Sequence, residues 1–437
     1  MLDLFKSFVD LGAIVVLPIL IFIFGVALGT KPKKALVSGI MVGIGFVGLN
    51  MVVDLLGGSL GPAAQAMVER FGLNLTTIDV GWPAAAAISL LGSLSIPIGI
   101  GINLLLLFLG LTKTLMVDMW NFWHAAFVAS LVYAVTQDFS LGLYATVTYL
   151  VMIYLLGDII APAIKKFYGF PNITFPHGTS APGFLVAIPL NWLFDRIPGF
   201  NKIEADPETI QKRFGIFGES TVLGLIIGII MGLLASYEVK EVLQLGVKMS
   251  AVMVLMPRMV SLLMEGLTPI SEAANDFVQR RFPGREVNIG MDSALSVGHP
   301  AVLSSSLLLV PITILLAVIL PGNQTLPFGD LATIPFVVCL MAAVFRGNIV
   351  RTVVGGTIYM ASILYVTSWA APLVTKAAQS ANFDLGGNTS VTAMAEGGLW
   401  PTWLFIFAGN HMPWVILTLV LLVSLAGLYY VNKVRKS

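Results

Sequence analysis

The sequence predicts an all-α polytopic membrane protein of about eleven transmembrane helices with re-entrant hairpins, and three observations carry that expectation. The 437 residues are 57% hydrophobic and only 11% charged, with a mean hydropathy of +0.91. Apolar runs long enough to cross a bilayer, about 20 residues each, recur from end to end. Polar residues gather in short motifs rich in glycine and proline. The clearest is Asn288-Ile-Gly-Met-Asp292-Ser-Ala-Leu-Ser-Val-Gly-His299-Pro300, directly in front of the apolar run Ala301 to Leu320. Non-helical backbone among apolar helices persists only where protein covers it or it lines a cavity.

Taken in order, spans are expected near 11–29, 35–57, 84–111, 120–136, 141–163, 217–236, 242–264, 294–320, 329–345, 353–377 and 405–431. Cationic residues orient them. Lys31, Lys33, Lys34, Lys113, Lys165, Lys166, Arg196, Lys202, Lys212, Arg213, Arg280, Arg281, Arg285, Arg346, Arg351, Lys433, Arg435 and Lys436 fall on alternate connections. The opposite side receives only Lys6, Arg70, Lys240 and Lys376. Positive loops stay cytoplasmic, so the N-terminus is expected outside and the C-terminus inside. The first segment lacks a cationic leader and a small-residue cleavage site, and reads as a retained helix.

Two connections are too hydrophobic for ordinary loops. Residues 170–194 scatter Pro171, Pro176, Pro182 and Pro189 among apolar residues, with Asn172, Thr174, His177, Thr179 and Ser180. Such a stretch is too interrupted to cross as one helix and is expected to dip in and return, the alternative being an interfacial loop. Residues 264–290 mix Glu265, Thr268, Pro269, Ser271 and Glu272 with the basic stretch Arg280 to Arg285. Between them, Asp195 to Arg213 is polar enough for a cytoplasmic connection. A short echo links Gly92-Ser-Leu-Ser95-Ile-Pro97-Ile-Gly99 with Ser293-Ala-Leu-Ser296-Val-Gly298-His299-Pro300. Their spans run in opposite directions, which suggests a single membrane unit, 1–437, with inverted repeats of about 1–163 and 217–437 joined by 164–216. Coincidence between two Gly/Ser/Pro-rich stretches is the alternative.

Several chemistries are excluded by pattern. No two histidines sit four apart, and Cys339 is the single cysteine, so no metal centre is expected. There is no Gly-x-Ser-x-Gly elbow, no phosphate-cradling loop and no cofactor motif. A net charge of +1 without a basic, aromatic-interleaved patch argues against nucleic acid. What remains is a set of hydrogen-bonding groups: Asn121, His124, His177, Thr179, Glu219, Asp292 and Asn348. Asn121 and His124, three apart, share one helix face. His124 also reads as part of an aromatic interfacial belt, His299 as a cap for the helix after it, and His411 as an outside-facing interfacial residue. A polyhydroxylated solute suits such a lining, because each hydroxyl both donates and accepts. Asp292 can accept from two hydroxyls at once. An anion would call for Arg or Lys, and only Arg346 is near these motifs, at a cytoplasmic end. A proton-coupled transporter relaying protons through Asp292 with His177 or His299 is the competing reading.

The Asn288-to-Pro300 motif continues as Ala301-Val302 and is followed by Leu320-Pro-Gly-Asn323-Gln-Thr-Leu-Pro327-Phe-Gly-Asp330-Leu331. Together they resemble the galactitol-type membrane subunit, enzyme IIC, of the bacterial sugar phosphotransferase system. Trp120-Asn-Phe-Trp-His124 and Phe175-Pro-His177-Gly178 are similar to features of the wider ascorbate–galactitol superfamily. The resemblance implies phosphotransfer-coupled uptake of a sugar alcohol, galactitol or another hexitol or pentitol, across the bacterial inner membrane. It implies a homodimer in membrane lipid, with a scaffold domain and an elevator-type core. Phosphate would come from a phosphocysteine on a separate IIB subunit, itself charged by IIA. By matching motifs, His124, His177 and Asp292 would contact substrate, with Ser95 and the Phe345-Arg-Gly-Asn348 stretch as further carry-overs.

Overall fold

The computed structural model describes the chain except at residues 1–12, 71, 73–74, 82–84, 86–90, 119, 282–285, 382, 384, 386–387 and 435–437. Part of the expected span 84–111, and Lys6, Arg285, Arg435 and Lys436, therefore lie outside the described residues. The chain runs α1 (Ala13–Ala27), α2 (Pro32–Arg70), β1 (Thr77–Asp79), α3 (Gly92–Phe108), β2 (Thr114–Met116), α4 (Trp120–Thr136), α5 (Phe139–Tyr168), β3 (Ile173–Thr174) and α6 (Ala181–Phe194). A connection carrying the short α7 (Pro207–Phe214) follows, and then a similar order of elements returns. It comprises α8 (Ser220–Leu234), α9 (Val239–Arg281), β4 (Asn288–Gly290), α10 (Ala294–Val297), α11 (Pro300–Ile319), β5 (Thr325–Leu326), α12 (Ile334–Val344), α13 (Ile349–Ser380), β6 (Ser390–Thr392), α14 (Met394–Gly397), α15 (Trp400–Asn410) and a closing α16 (Pro413–Tyr429). Thr77 and Thr114, which begin β1 and β2, are as far apart in the chain as Asn288 and Thr325, which begin β4 and β5.

Six helices among the described residues are long and apolar enough to cross a membrane: Pro32–Met67, Phe139–Tyr168, Val239–Ile270, Pro300–Ile319, Ile349–Ser380 and Pro413–Val434. Shorter apolar helices accompany them, and the protein is an all-α polytopic membrane protein in its class. Three segments differ from the sequence expectation. Helix α9 does not stop at 264 but runs unbroken to Arg281. Its polar residues Glu265, Thr268 and Glu272 lie on the exposed face while Leu263, Leu267 and Ile270 are buried, so polarity there marks a helix side and not a loop. The span expected over 294–320 is broken at Gly298 and His299 into α10 and α11. The span expected over 405–431 is divided at His411 and Met412, leaving α15 as a separate short helix. The proline-rich stretch 170–194 folds as β3, a turn and the 14-residue α6.

With helices apolar on all sides, small residues decide which faces meet. Gly224, Gly228 and Gly232 form a stripe down α8 that lets α9 approach; a Cβ on Gly228 would stand 2.7 Å from the Cα of Gly246. Helices α1, α2, α8 and α9 pack together as a four-helix body. The remaining helices gather around the strands and meet that body along α11 and the turn Leu331–Thr333.

The strands form two parallel three-stranded sheets, ordered β5-β1-β6 and β2-β4-β3. The first strand of each half thus slots between the two later strands of the other half. Thr77 is in register with Thr325 and Ser390, and Ile289 with Leu115 and Ile173. A buried carboxylate ties the backbone beside each sheet. Asp79 accepts from the amides of Gly81 (3.3 Å), Phe328 (3.2 Å), Asp330 (2.8 Å) and Met394 (2.9 Å). Asp158 on α5 accepts from the Thr112 and Thr114 hydroxyls (2.9 and 2.8 Å), the Lys113 amide (3.1 Å) and Asn432 Nδ2 (2.7 Å).

Each unsatisfied buried donor costs about 1–3 kcal/mol. Asp79→Ala, which strands three buried donors and the half-buried Phe328 amide, is therefore expected to destabilise the detergent-purified protein by at least about 3 kcal/mol. Thermal unfolding measures it, and an unchanged midpoint contradicts the assignment.

Candidate functional site

Because all three strands of each sheet are parallel, their C-terminal ends face one way, and the residues that follow them meet around a cavity of about 440 Å³. Every strand contributes. Ala85 follows β1; Trp123, His124 and Phe127 follow β2; His177 and Thr179 follow β3; Asp292 and Ala294 follow β4; Thr333 and Phe336 follow β5; Ala395 and Glu396 follow β6. Helix α2 closes the remaining wall with Phe46, Leu49, Asn50, Val53 and Asp54.

Four ionisable side chains form a continuous line in this space. His124 Nδ1 stands 2.6 Å from Glu396 Oε1. The two imidazoles meet through their Nε2 atoms at 3.4 Å, rings edge to face with centroids 4.6 Å apart. His177 Nε2 also reaches Asp292 Oδ1 at 3.4 Å. Its Nδ1 is 3.3 Å from the Ser180 hydroxyl, which pairs with Ser293 at 2.6 Å. Thr179 Oγ1 donates to Glu396 at 3.2 Å, and Asp292 Oδ1 accepts from the Ala294 amide at 2.8 Å. One assignment of protons fits these distances with both imidazoles neutral: His124 donates from Nδ1 to Glu396 and accepts at Nε2, and His177 donates from Nε2 and accepts at Nδ1. The carboxylates keep further lone pairs for a solute. Apolar walls from Trp123, Phe127 and Phe336 complete a lining that, among the described residues, contains no Lys or Arg.

Local sequence explains how the groups come so close. His177 sits in a turn after β3, and the Pro182 that starts α6 sets the chain back into a helix. Gly178 lies directly against the His124 ring; a Cβ there would overlap its Cγ and Cβ. Glu396 has a comparable setting, in the one-turn helix α14 after β6 and before a helix with Pro401 in its first turn.

The structure brings His124, His177, Thr179 and Asp292 together and leaves other expected residues apart. Asn121 is buried behind the cavity wall, donating to Asp118 at 3.3 Å. Ser95 is buried within α3 and is not among the lining residues. Glu219 is exposed at the start of α8. Asn348 caps α13 through the Arg351 amide at 3.0 Å and donates to the Ile203 carbonyl at 2.6 Å. His299 caps α11, accepting from the Ala301 amide at 3.2 Å, with its ring against Phe167. His411 is exposed beyond α15. Glu396 is the central residue not singled out from sequence. The available signal was a lone carboxylate between strand-forming and proline-started segments, matching the setting of His177. Among the described residues, no group of three or more His, Cys, Asp or Glu is arranged to hold a metal ion.

Comparison with known proteins gives a consistent result. The family model for the PTS system sugar-specific permease component, EIIC-GAT, matches residues 7–388. The PTS system galactitol-specific EIIC component of Escherichia coli (strain K12) is 42% identical over 420 residues, 95% of this chain and 93% of that protein. The protein of the same description from Escherichia coli O157:H7 gives the same figures. A putative permease IIC component of Escherichia coli (strain K12) is 34% identical over 400 residues, 91% of this chain and 92% of its own.

Gly178→Ala forces the His124 ring away from Glu396. Overpacking of this kind costs about 1–3 kcal/mol, so thermal unfolding of the purified variant should show a lowered midpoint. An unchanged midpoint would mean that the ring yields without strain.

Proposed function

This chain belongs to the EIIC-GAT family, the sugar-specific permease components of the PTS, and from that premise we propose that its cavity binds a linear sugar alcohol, galactitol first. It is a PTS sugar permease subunit, a multi-pass protein of the bacterial inner membrane. The observation that carries the substrate reading is the line Glu396–His124–His177–Asp292 in a cavity lined, among the described residues, by no Lys or Arg. Two carboxylates and two imidazoles offer acceptors and switchable donors to several hydroxyls, while an anionic sugar acid would meet uncompensated negative charge. The relatives at 42% identity are galactitol-specific EIIC components.

The phosphoryl donor on this reading is a phosphocysteine of a separate IIB subunit, charged in turn by IIA. Cys339 is unsuited to that role, being fully buried in α12 with Sγ directed at the Phe336 carbonyl at 3.2 Å. Phosphotransfer at the cytoplasmic face makes proton coupling through Asp292 unnecessary. The chain is read as one transport unit, 1–437, of two inverted repeats, with the recurring order of elements carrying the first repeat through α6 to Phe194. The N-terminus is outside and the C-terminus cytoplasmic. The four-helix body serves as scaffold of a homodimer; the exposed apolar stripe Val37, Ile40, Ile44 and Val47 on α2 favours that assignment. The strand-bearing remainder, with most of the cavity wall, is the part that moves elevator-fashion.

A hydrogen bond to a charged group is worth about 1.5–3 kcal/mol, so Asp292→Asn and Glu396→Gln should each weaken galactitol binding by roughly 10–100-fold in calorimetry on purified protein. In membrane vesicles, galactitol should accumulate as its phosphate only with phosphoenolpyruvate, IIA and IIB present. Accumulation of free galactitol on a proton gradient alone would overturn the reading.

A further inference from the structure

The cavity wall formed by α2 carries two polar groups that the strand-end cluster does not explain. Asn50 and Asp54 are four residues apart and so share one helix face, among Phe46, Leu49 and Val53, Asn50 half-buried and Asp54 exposed where the cavity opens. That helix is apolar enough to span the membrane. Neither side chain makes a hydrogen bond or ion pair with a described residue. An ionisable group in such a helix is unfavourable against lipid and stays where it faces a polar cavity or a solute path. Both residues lie on the four-helix body, whereas Glu396, His124, His177 and Asp292 lie on the strand-bearing part. The cavity is thus polar on walls that belong to two packing units, with aromatic rings between.

We propose that Asn50 and Asp54 form a second polyol subsite, holding the hydroxyls at the end of the solute remote from the His124–Glu396 and His177–Asp292 pairs. This rests on the polyol reading above and adds to it a pair of specificity-determining residues. Asp54 accepts from one or two hydroxyls, and Asn50, one turn away, both donates and accepts. A solute long enough to touch both walls gains hydrogen bonds at each end; a shorter one must leave one wall to water. Chain length is therefore measured across the gap between the two bodies. Because the two sets of contacts sit on different bodies, any sliding of one past the other would remove the α2 contacts while leaving the strand-end contacts with the solute. Grip at both ends belongs to this arrangement alone, and release of the α2 end comes with movement.

The test uses the full chain, purified in detergent, with galactitol as probe. Asp54→Asn should weaken galactitol binding about tenfold in calorimetry, with the thermal midpoint unchanged. Separately, galactitol at saturating concentration should slow alkylation of the Asp54→Cys and Asn50→Cys thiols several-fold. It should leave the Met51→Cys thiol, exposed on the same helix but outside the cavity lining, unprotected. Unchanged affinity in Asp54→Asn, or equal labelling with and without galactitol at positions 50 and 54, overturns the second subsite. Should the unaltered protein fail to bind galactitol, or Asp292→Asn bind it normally, it is the polyol reading itself that fails.

Discussion

Backbone hydrogen bonding is the constraint on which this structure depends. Where a helix stops among apolar neighbours, its N–H and C=O groups find no partner in lipid and must be satisfied by the chain itself. This protein breaks its helices repeatedly, and at six of the breaks among the described residues it places a strand of two or three residues. No such strand is stable alone. Each becomes so by pairing in parallel with strands from the other half, β1 between β5 and β6, and β4 between β2 and β3. Asp79 and Asp158 take up donors beside the sheets, so the interrupted backbone is enclosed by hydrogen bonds.

The functional site follows from that solution. Parallel strands align their C-terminal ends, and a chain leaving a strand must turn before it can re-enter a helix. The turns are where His177 and Asp292 stand, and Glu396 stands in the single-turn helix α14 that follows β6. Ligand sites beyond the carboxyl ends of parallel strands are familiar from open α/β sheets; here two miniature sheets aim six such ends at one cavity. Placing ionisable groups there reduces the penalty of burying them, since each carboxylate acquires a local partner: His124 for Glu396, and the Ala294 amide with His177 for Asp292.

A site assembled this way is neutral in its needs. Among the described residues its carboxylates face imidazoles and hydroxyls, not guanidinium or ammonium groups. A permease subunit that hands its sugar to a phosphorylated partner requires only that the uncharged solute be gripped and presented. The phosphorylated product, carrying negative charge, would be repelled by the same carboxylates. Chemistry that adds charge at the cytoplasmic face thereby opposes return through the site.

Much of the helical frame was legible from the sequence because burial in lipid writes a local signal. The apolar run 120–136 coincides with α4 at both ends, and Asp292, His177 and His124 stood out as polar groups in apolar surroundings. Local pattern fails where the deciding contact is distant. Strands of two or three residues have no periodicity to detect, so neither sheet was foreseen. Strand starts at Thr77 and Asn288 set a different register from the match of Gly92 with Ser293. The polar run after 264 resembled a loop, since only packing along α2 shows which side of α9 is exposed. Glu396 acquires meaning from His124, far away in the chain, and Asn50 and Asp54 from the cavity opposite them. Apolar composition, a property of each segment by itself, thus determined that this chain crosses a membrane and where most of its apolar helices lie, though not where they break. Which polar groups face one another was decided only by the tertiary structure, because parallel pairing between the halves is a non-local choice that no single stretch of sequence encodes.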